Sequence, residues 1–336
     1  MALIASWRFT HVRIPVDAAL LDDAAGWACL DEAVRAGGRH GLGCVLALRV
    51  EQDGLFLEEA RWRGLAERWS ALAARYAAWP GVVVYDLLDG PAPPDGLPEE
   101  TLRALGAPRL SFAATRREPV PGATAGRAWS GLAATLTQAI RAFDEQHTIV
   151  VQAVGGEPGG FAHLRPTRDG NTVYGFQCFE PRAFTGIDSP HPRCPSPGRA
   201  PASPTRGEGE QVGGHSDPLT YPGTIAGERW DRERMERYLA PAVEFGRTYE
   251  VPLYLCAFGV SAVAPRLSQL TWVRSLVGLC RAHEMGWAYW TYRSFGRQPF
   301  GLVCDGQDAV PFAALPPFQN AQRLDYELLG VLQSEA

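Results

Sequence analysis

Charged and polar side chains stand at the ends of several short apolar runs in this sequence. Asp89 follows the run VVVYDLL, Arg49 ends CVLALR, and Arg13 lies within HVRIPV. Glu180 ends a further run that contains Gln177. Carboxylates such as those of Asp89 and Glu180 suit general acid or base catalysis. Structural roles are the alternative: a turn residue before a proline for Asp89, a rim charge for Glu180, and a buried ion pair for Arg13.

The composition argues against nucleic-acid binding and metal binding. All 32 basic residues other than histidine are arginine, the formal net charge is −5, and no basic cluster occurs that would follow a phosphate backbone. The seven cysteines include no CxxC or other zinc-like spacing. We therefore predict buried, reduced thiols, and we expect no metal, no cofactor and no nucleic-acid partner.

Short apolar runs, several rich in β-branched residues, alternate with stretches of helical periodicity. This alternation favours βα units around a parallel sheet that is buried on both faces, an α/β fold. The sequence predicts seven strands, at His11–Val16, Cys44–Arg49, Val82–Asp89, Thr148–Ala153, Thr172–Phe179, Pro252–Gly259 and Trp287–Arg293.

Apolar residues that recur every three or four positions predict the helices between these strands. In the segment Trp129–His147, for example, the apolar positions that include Ile140 and Phe143 are expected to form one buried stripe. The predicted helices are Ala28–His40, Trp62–Ala78, Trp129–His147, Arg232–Tyr249 and Leu267–Glu284, with a last amphipathic stretch at Leu324–Leu332.

Two segments interrupt the alternation. Ser189–Gly214 is dense in Pro, Gly, Ser and Arg and almost lacks aliphatic residues, so we predict a disordered insert over 189–214. Gly90–Gly126 is a long connection rich in Pro and Gly, for which we predict partial order and little helix. The remainder of residues 1–336 is predicted to form a single domain.

The ordered series of these segments resembles glycoside hydrolase family 5, the cellulase-like barrels. HVRIPV at 11–16 resembles the second strand of that family, VYDLLDGP at 84–91 its fourth and VYGFQCFEPRAFTG at 173–186 its sixth. PLYLCAFG at 252–259 and GWAYWTYRS at 286–294 resemble its seventh and eighth strands. The resemblance covers nearly the whole chain outside the insert and implies a (β/α)8 TIM barrel with its site at the strand C-termini.

Several family positions carry over residue by residue. Arg13 matches an arginine that supports the catalytic carboxylates of the family. Trp290 matches the family's sugar-stacking tryptophan, whose flat apolar face suits a pyranose ring, although plain core packing is the alternative. Arg49 stands where the family has a histidine. The saccharide-binding residues implied by the resemblance are Arg13, Arg49, Asp89, Gln177, Phe179 and Trp290.

Both catalytic glutamate positions of the family hold other residues. The family's Asn-Glu-Pro reads Asp89-Gly90-Pro91 here, so the acid/base position is Gly90. Its Glu-Phe-Gly reads Ala257-Phe258-Gly259, so the nucleophile position is Ala257. A retaining glycosidase needs two carboxyl groups about 5–5.5 Å apart, and neither glycine nor alanine supplies one.

The sequence therefore predicts a cellulase-like pseudo-glycosidase that binds an oligo- or polysaccharide at the barrel mouth without hydrolysing it. One alternative is an active O-glycosyl hydrolase in which displaced carboxylates, Asp89 and Glu180, act through a water as a pair about 6.5–9.5 Å apart. The other alternative is a degenerate gene product without function.

The first ten residues match the end of the helix that precedes the family's second strand. The family's first strand thus has no counterpart, and the barrel is predicted to be N-terminally incomplete, with seven strands. Open strand edges invite pairing with another chain, so we expect self-association. The sequence as given has no signal-peptide pattern and no run of ~18 apolar residues. We expect no membrane partner, and a cytoplasmic location unless the true start lies upstream.

Overall fold

The computed structural model describes residues 1–79, 82–106, 122–187, 219–262, 264–293, 300–305 and 322–334. The insert predicted at Ser189–Gly214 lies outside the described residues, and its disorder stays a prediction. The chain divides into two compact units. The first unit comprises Met1–Cys178, Glu236–Ala257 and Cys280–Ala288, and the second comprises Phe179–Met235, Phe258–Leu279 and Tyr289–Ala336.

A seven-stranded sheet carries the predicted strands and confirms their number. Its order is β1-β2-β3-β4-β5-β8-β9, and the pairs from β1 to β5 are parallel. Two separate antiparallel pairs, β6 with β7 and β10 with β11, belong to the second unit. The strands are β1 (His11–Asp17), β2 (Gly43–Arg49), β3 (Val82–Asp86), β4 (Thr148–Gln152), β5 (Thr172–Cys178), β6 (Gly223–Ile225), β7 (Glu228–Trp230), β8 (Leu253–Phe258), β9 (Gly286–Tyr289), β10 (Val303–Asp305) and β11 (Gln322–Leu324).

Helices alternate with the strands of this sheet, which confirms the α/β class. All five predicted helices and the last amphipathic stretch are present. The helices are α1 (Ala2–Ser6), α2 (Ala24–Arg39), α3 (Glu59–Tyr76), α4 (Glu99–Ala104), α5 (Ala123–Arg141), α6 (Arg182–Thr185), α7 (Arg232–Tyr249), α8 (Arg266–Ala282) and α9 (Tyr326–Ser334).

Two buried tryptophans join helices of the first unit to the carboxyl ends of its strands. Trp69 in α3 donates from its indole nitrogen to the carbonyl of Leu87, just beyond β3, at 3.0 Å. Trp129 in α5 donates in the same way to the carbonyl of Gln152, the last residue of β4, at 2.7 Å. Because both side chains are completely buried, these bonds hold the strand ends against the helix layer without exchange with water.

The fifth helix differs from its prediction. It spans Ala123–Arg141 and so begins and ends six residues before the predicted Trp129–His147. Ile140 is buried, but Phe143 lies beyond the helix and is exposed, so its place in the buried stripe was wrong. Asp144 explains the early end, because its carboxylate accepts the backbone N–H groups of Gln146 and His147 and turns the chain toward β4.

Two further expectations from the sequence, the end of the third strand and the burial of Cys29, are wrong. The third strand ends at Asp86 rather than Asp89, and the connection that follows contains only the short α4 in its described part up to Ala123. Cys44, Cys178, Cys256 and Cys280 are buried as predicted, whereas Cys29 is exposed. None of the helices in the described segments has both the length and the hydrophobicity of a membrane span. The described residues also contain no group of three or more potential metal-binding side chains.

Candidate functional site

Five side chains of the first unit form a closed ring of hydrogen bonds near the carboxyl ends of the strands. Arg13 donates from Nε to Asp86 Oδ2 at 2.9 Å and from Nη2 to Asp89 Oδ1 at 2.8 Å. Gln152 donates from Nε2 to both oxygens of Asp86, at 3.0 and 2.9 Å. Gln177 donates from Nε2 to Asp89 Oδ1 at 2.9 Å and to Gln152 Oε1 at 3.2 Å. We call these five residues the mouth ring.

The two carboxylates of the mouth ring differ in access to solvent. The side chain of Asp86 is 0% exposed and that of Asp89 is 23% exposed. Burial raises the pKa of Asp86 to about 6, although the Arg13 guanidinium acts in the opposite direction. Burial alone lowers the pKa of Arg13, but the charges of the two carboxylates outweigh this and raise it above its usual range. A ligand at the mouth can therefore reach Asp89 but not Asp86.

The turn that begins at Asp89 is fixed by two glutamine side chains. Gly90 has a φ of +61°, in the left-handed region that favours glycine. Its N–H donates to Gln152 Oε1 at 3.2 Å and its carbonyl accepts from Gln52 Nε2 at 2.9 Å. Gln52 Oε1 accepts in turn from the N–H of Ala92 at 2.7 Å. Within the described segments, a Cβ added at Gly90 would approach only Gln177 Nε2 within 4 Å, at 3.8 Å, so the site has room for a Cβ atom.

Arg49 and Ala257 complete the predicted site residues of the first unit. Arg49 Nε lies 3.9 Å from Asp89 Oδ2 and its side chain is 60% exposed, so this ion pair is weak. Ala257 in β8 is buried, with 5% of its surface exposed. The preceding Cys256 is buried beside the mouth ring, and burial, followed by the charge of Asp86, raises the pKa of its thiol well above the usual value.

Residues 1–296 match the family model described as cellulase, glycosyl hydrolase family 5. The chain belongs to glycosyl hydrolase family 5. Endoglucanase C of Acetivibrio thermocellus is 23% identical over 313 residues, which cover 86% of this chain and 82% of the relative. Thermotoga maritima Cel5A in complex with cellobiose is 18% identical with a TM-score of 0.67, over 98% of this chain and 88% of that one. The same enzyme with mannotriose is 18% identical with a TM-score of 0.66, over 98% and 88%.

Family membership and these structural likenesses confirm the cellulase-like resemblance and the TIM-barrel fold. Of the site residues that the resemblance implied in the first unit, the structure brings Arg13, Asp89 and Gln177 into direct contact. Arg49 lies at the edge of this group. Gly90, where the resemblance places the acid/base residue, is bonded to the mouth ring only through its backbone.

Three predicted site residues belong to the second unit. Phe179 and Glu180 follow β5, where the Glu180 side chain accepts the N–H of Arg182 at 3.1 Å and its carbonyl accepts the indole N–H of Trp272 at 3.0 Å. Trp290 lies directly after β9 rather than within the predicted eighth strand, and its side chain is half-buried. Its N–H donates to a carbonyl at the end of β8 at 2.8 Å.

Sequence reasoning missed three residues of this site. Asp86 and Gln152 each end a buried apolar strand, VVVYD and TIVVQ. A polar side chain at such a position must find a hydrogen-bonding partner, and this signal could have pointed to both residues. Gln52 lies in the connection after β2, where nothing in the local sequence distinguishes it from a solvated loop residue.

Proposed function

We propose that this family 5 protein binds an oligo- or polysaccharide at the mouth ring and does not hydrolyse it. The observation that carries the proposal is the state of the two positions where the resemblance expects catalytic glutamates. Gly90 has no side chain, and Ala257 offers a buried methyl group. A double-displacement reaction requires one carboxyl group to attack the anomeric carbon and another to protonate the leaving oxygen.

Neighbouring carboxylates of the first unit are poor replacements. Asp86 is fully buried and occupied by Arg13 and Gln152, so it has no access to a glycosidic bond. Asp89 Oδ1 accepts hydrogen bonds from Arg13 and Gln177, and its Oδ2 faces Arg49. The sequence has no carboxylate between Glu250 and Glu284, the stretch that contains β8. A second carboxylate opposite Asp89 is therefore missing from this stretch.

The polar groups that remain suit binding. Among the residues that the structure describes, Asp89 Oδ2 has only the long contact to Arg49, and the exposed Arg49 guanidinium carries several donors. Saccharide hydroxyl groups both donate and accept hydrogen bonds, so they match such a mixed surface. The mouth ring is a closed network of matched donors and acceptors, which keeps its side chains in one arrangement. This order supports a functional binding site over the alternative of a degenerate gene product.

Isothermal titration calorimetry with cellopentaose and mannopentaose tests the proposal. We expect binding by the unmodified protein and a loss of about tenfold or more in affinity for Asp89→Ala, which removes the exposed acceptor and leaves Arg13 without one of its partners. The matched control is Asp53→Ala, an exposed aspartate on the loop after β2. The titrations are run at protein concentrations that detect millimolar affinity. If no saccharide gives a heat of binding, the proposal is contradicted.

A further inference from the structure

The orientation of each carboxamide in the mouth ring is dictated by its neighbours. The ionised carboxylate of Asp86 can only accept, so Gln152 must direct its NH2 group toward Asp86. Its oxygen then accepts from the Gly90 N–H and from Gln177 Nε2, both at 3.2 Å. Gln177 in turn must direct its NH2 group toward that oxygen and toward the Asp89 carboxylate. The orientation of Gln177 is thus set by two groups: by Asp89 directly, and by Asp86 through Gln152.

This orientation leaves the carbonyl oxygen of Gln177 available. Within the described part of the chain no residue donates a hydrogen bond to Gln177 Oε1, and the side chain is half-buried near the end of β5. An amide oxygen can only accept. A ligand group that meets it must therefore be a donor, and a hydroxyl group that is methylated or acetylated there would leave the oxygen unpaired.

We propose that Gln152 is a positioning residue of the mouth, which holds the Gln177 oxygen toward ligand so that the site takes saccharides with a free hydroxyl group there. This inference rests on the proposed saccharide binding for its ligand. The positioning role itself is a property of the protein without ligand. It predicts that a change in the hydrogen-bonding character of Asp86 is transmitted to Gln177 and to the Gly90 amide through Gln152.

Protonation is the change that reverses the hydrogen-bonding character of Asp86. The titratable and charged groups of the described chain that act on it are Arg13 from β1, Asp89 beyond β3, and Tyr254 and Cys256 from β8. Burial is the main cause that raises the pKa of Asp86 to about 6, and the Arg13 guanidinium opposes it. The carboxyl group therefore gains a proton at a pH where the fold can be studied.

Once Asp86 is protonated, its O–H needs an acceptor where Gln152 now presents a donor. If Gln152 turns its oxygen toward Asp86, its NH2 group meets the Gly90 N–H and Gln177 Nε2, which are donors themselves. Both contacts are then lost, and of these hydrogen bonds Gln177 keeps only the one to Asp89. The amide of Gly90 and the side-chain NH2 group of Gln177 should therefore report one common titration.

The test follows these two signals by ¹H–¹⁵N NMR on the complete chain between about pH 4.5 and 7.5. We expect both to shift together in the unmodified protein with a midpoint near 6, and expect Gln152→Leu to abolish the shared titration. A purely structural role of Gln152 would not remove a titration. The matched control is Gln138→Leu, on the exposed face of α5, which should keep the wild-type curve.

A flat response of both signals in the unmodified protein overturns the positioning role, and so does an unchanged titration in Gln152→Leu. A midpoint near the ordinary aspartate value of about 4 would assign the titration to a carboxyl group other than Asp86 and also overturn it. If Gln152→Leu fails to fold, the titration of the unmodified protein alone tests the positioning role. This role requires a common midpoint for the signals of Gly90 and Gln177.

Saccharide affinity tests the hydroxyl selectivity separately from the positioning role. By calorimetry, the affinity for cellopentaose should fall about tenfold from about pH 7.5 to pH 5 in the unmodified protein and stay constant in Gln152→Leu. Fully O-methylated cellopentaose should bind at least about tenfold more weakly than cellopentaose. Equal affinities overturn the hydroxyl selectivity. Absence of all saccharide binding overturns the proposed function and the selectivity together, whereas the NMR titration still decides the positioning role.

Discussion

Gly90 has no side chain, and its backbone has a conformation that residues with a Cβ atom rarely adopt. Its φ of +61° is held by hydrogen bonds from Gln52 and to Gln152, so the turn is fixed from both sides. A left-handed backbone costs a residue with a Cβ atom about 1–2 kcal/mol. The absence of a side chain at this position is therefore favoured by the conformation of the turn.

Replacement of Gly90 by alanine should lower the free energy of unfolding by about 1–2 kcal/mol, although the added Cβ has no close neighbour. Urea unfolding measures this difference. Gly159→Ala is the control, since Gly159 also lies in open space but has no left-handed φ. Equal stability of the two variants would show that the turn relaxes to accept a side chain.

Asp86 makes the stability of the protein depend on pH in an unusual direction. Because its pKa is raised in the folded state, the folded protein binds this proton more tightly than the unfolded chain does. The contribution of Asp86 to stability is full below the unfolded pKa and is lost as the pH rises through about 6. Carboxylates with lowered pKa values, such as Asp144 and Asp169, act in the opposite direction.

Comparison with Asp86→Asn isolates this contribution, since other carboxylates are common to both proteins. The unfolding free energy of the unmodified protein minus that of the variant should fall by about 3 kcal/mol from about pH 3.5 to pH 7, for a shift of about two pKa units. Chemical unfolding at each pH gives the values, and the exposed Asp53→Asn serves as control. A difference that rises with pH would mean that Arg13 outweighs burial.

At the scale of elements, β5 and β8 approach each other closely where Gly175 faces Cys256. A Cβ at Gly175 would lie 2.5 Å from Cys256 Sγ and 2.8 Å from Val150 Cγ1. The strand positions themselves were predictable, because buried apolar runs mark them. The size match between a glycine and a cysteine on different strands was not, since nothing in either local sequence shows what lies opposite.

Gly175→Ala should destabilise the protein by about 1–3 kcal/mol through overpacking. Cys256→Ala removes the sulfur that the new methyl group meets, so the double variant should lose less stability than the sum of the two single variants, by about 0.5 kcal/mol or more. Unfolding of the three variants provides the cycle, with Gly170→Ala, which lies in open space, as control. Simple additivity would locate the strain at Val150 instead.

At the scale of the whole molecule, the sequence predicted the family, the α/β class and all seven sheet strands, because each rests on local runs in a fixed order. The centre of the site escaped prediction for a physical reason. Asp86 and Gln152 are joined by hydrogen bonds across 66 residues of sequence, and only the folded sheet brings them together. Self-association through the end strands β1 and β9 and the single-domain organisation stay predictions.

The absence of hydrolysis by the retaining route is the central claim, and release of reducing ends from cellopentaose by the unmodified protein tests it most directly. We predict release no faster than in buffer, since Gly90 and Ala257 supply neither an acid nor a nucleophile. Asp89→Asn and Glu180→Gln, purified in the same way, control for contaminating enzymes. Release by the unmodified protein that disappears in either variant would show displaced carboxylates at work and contradict the account.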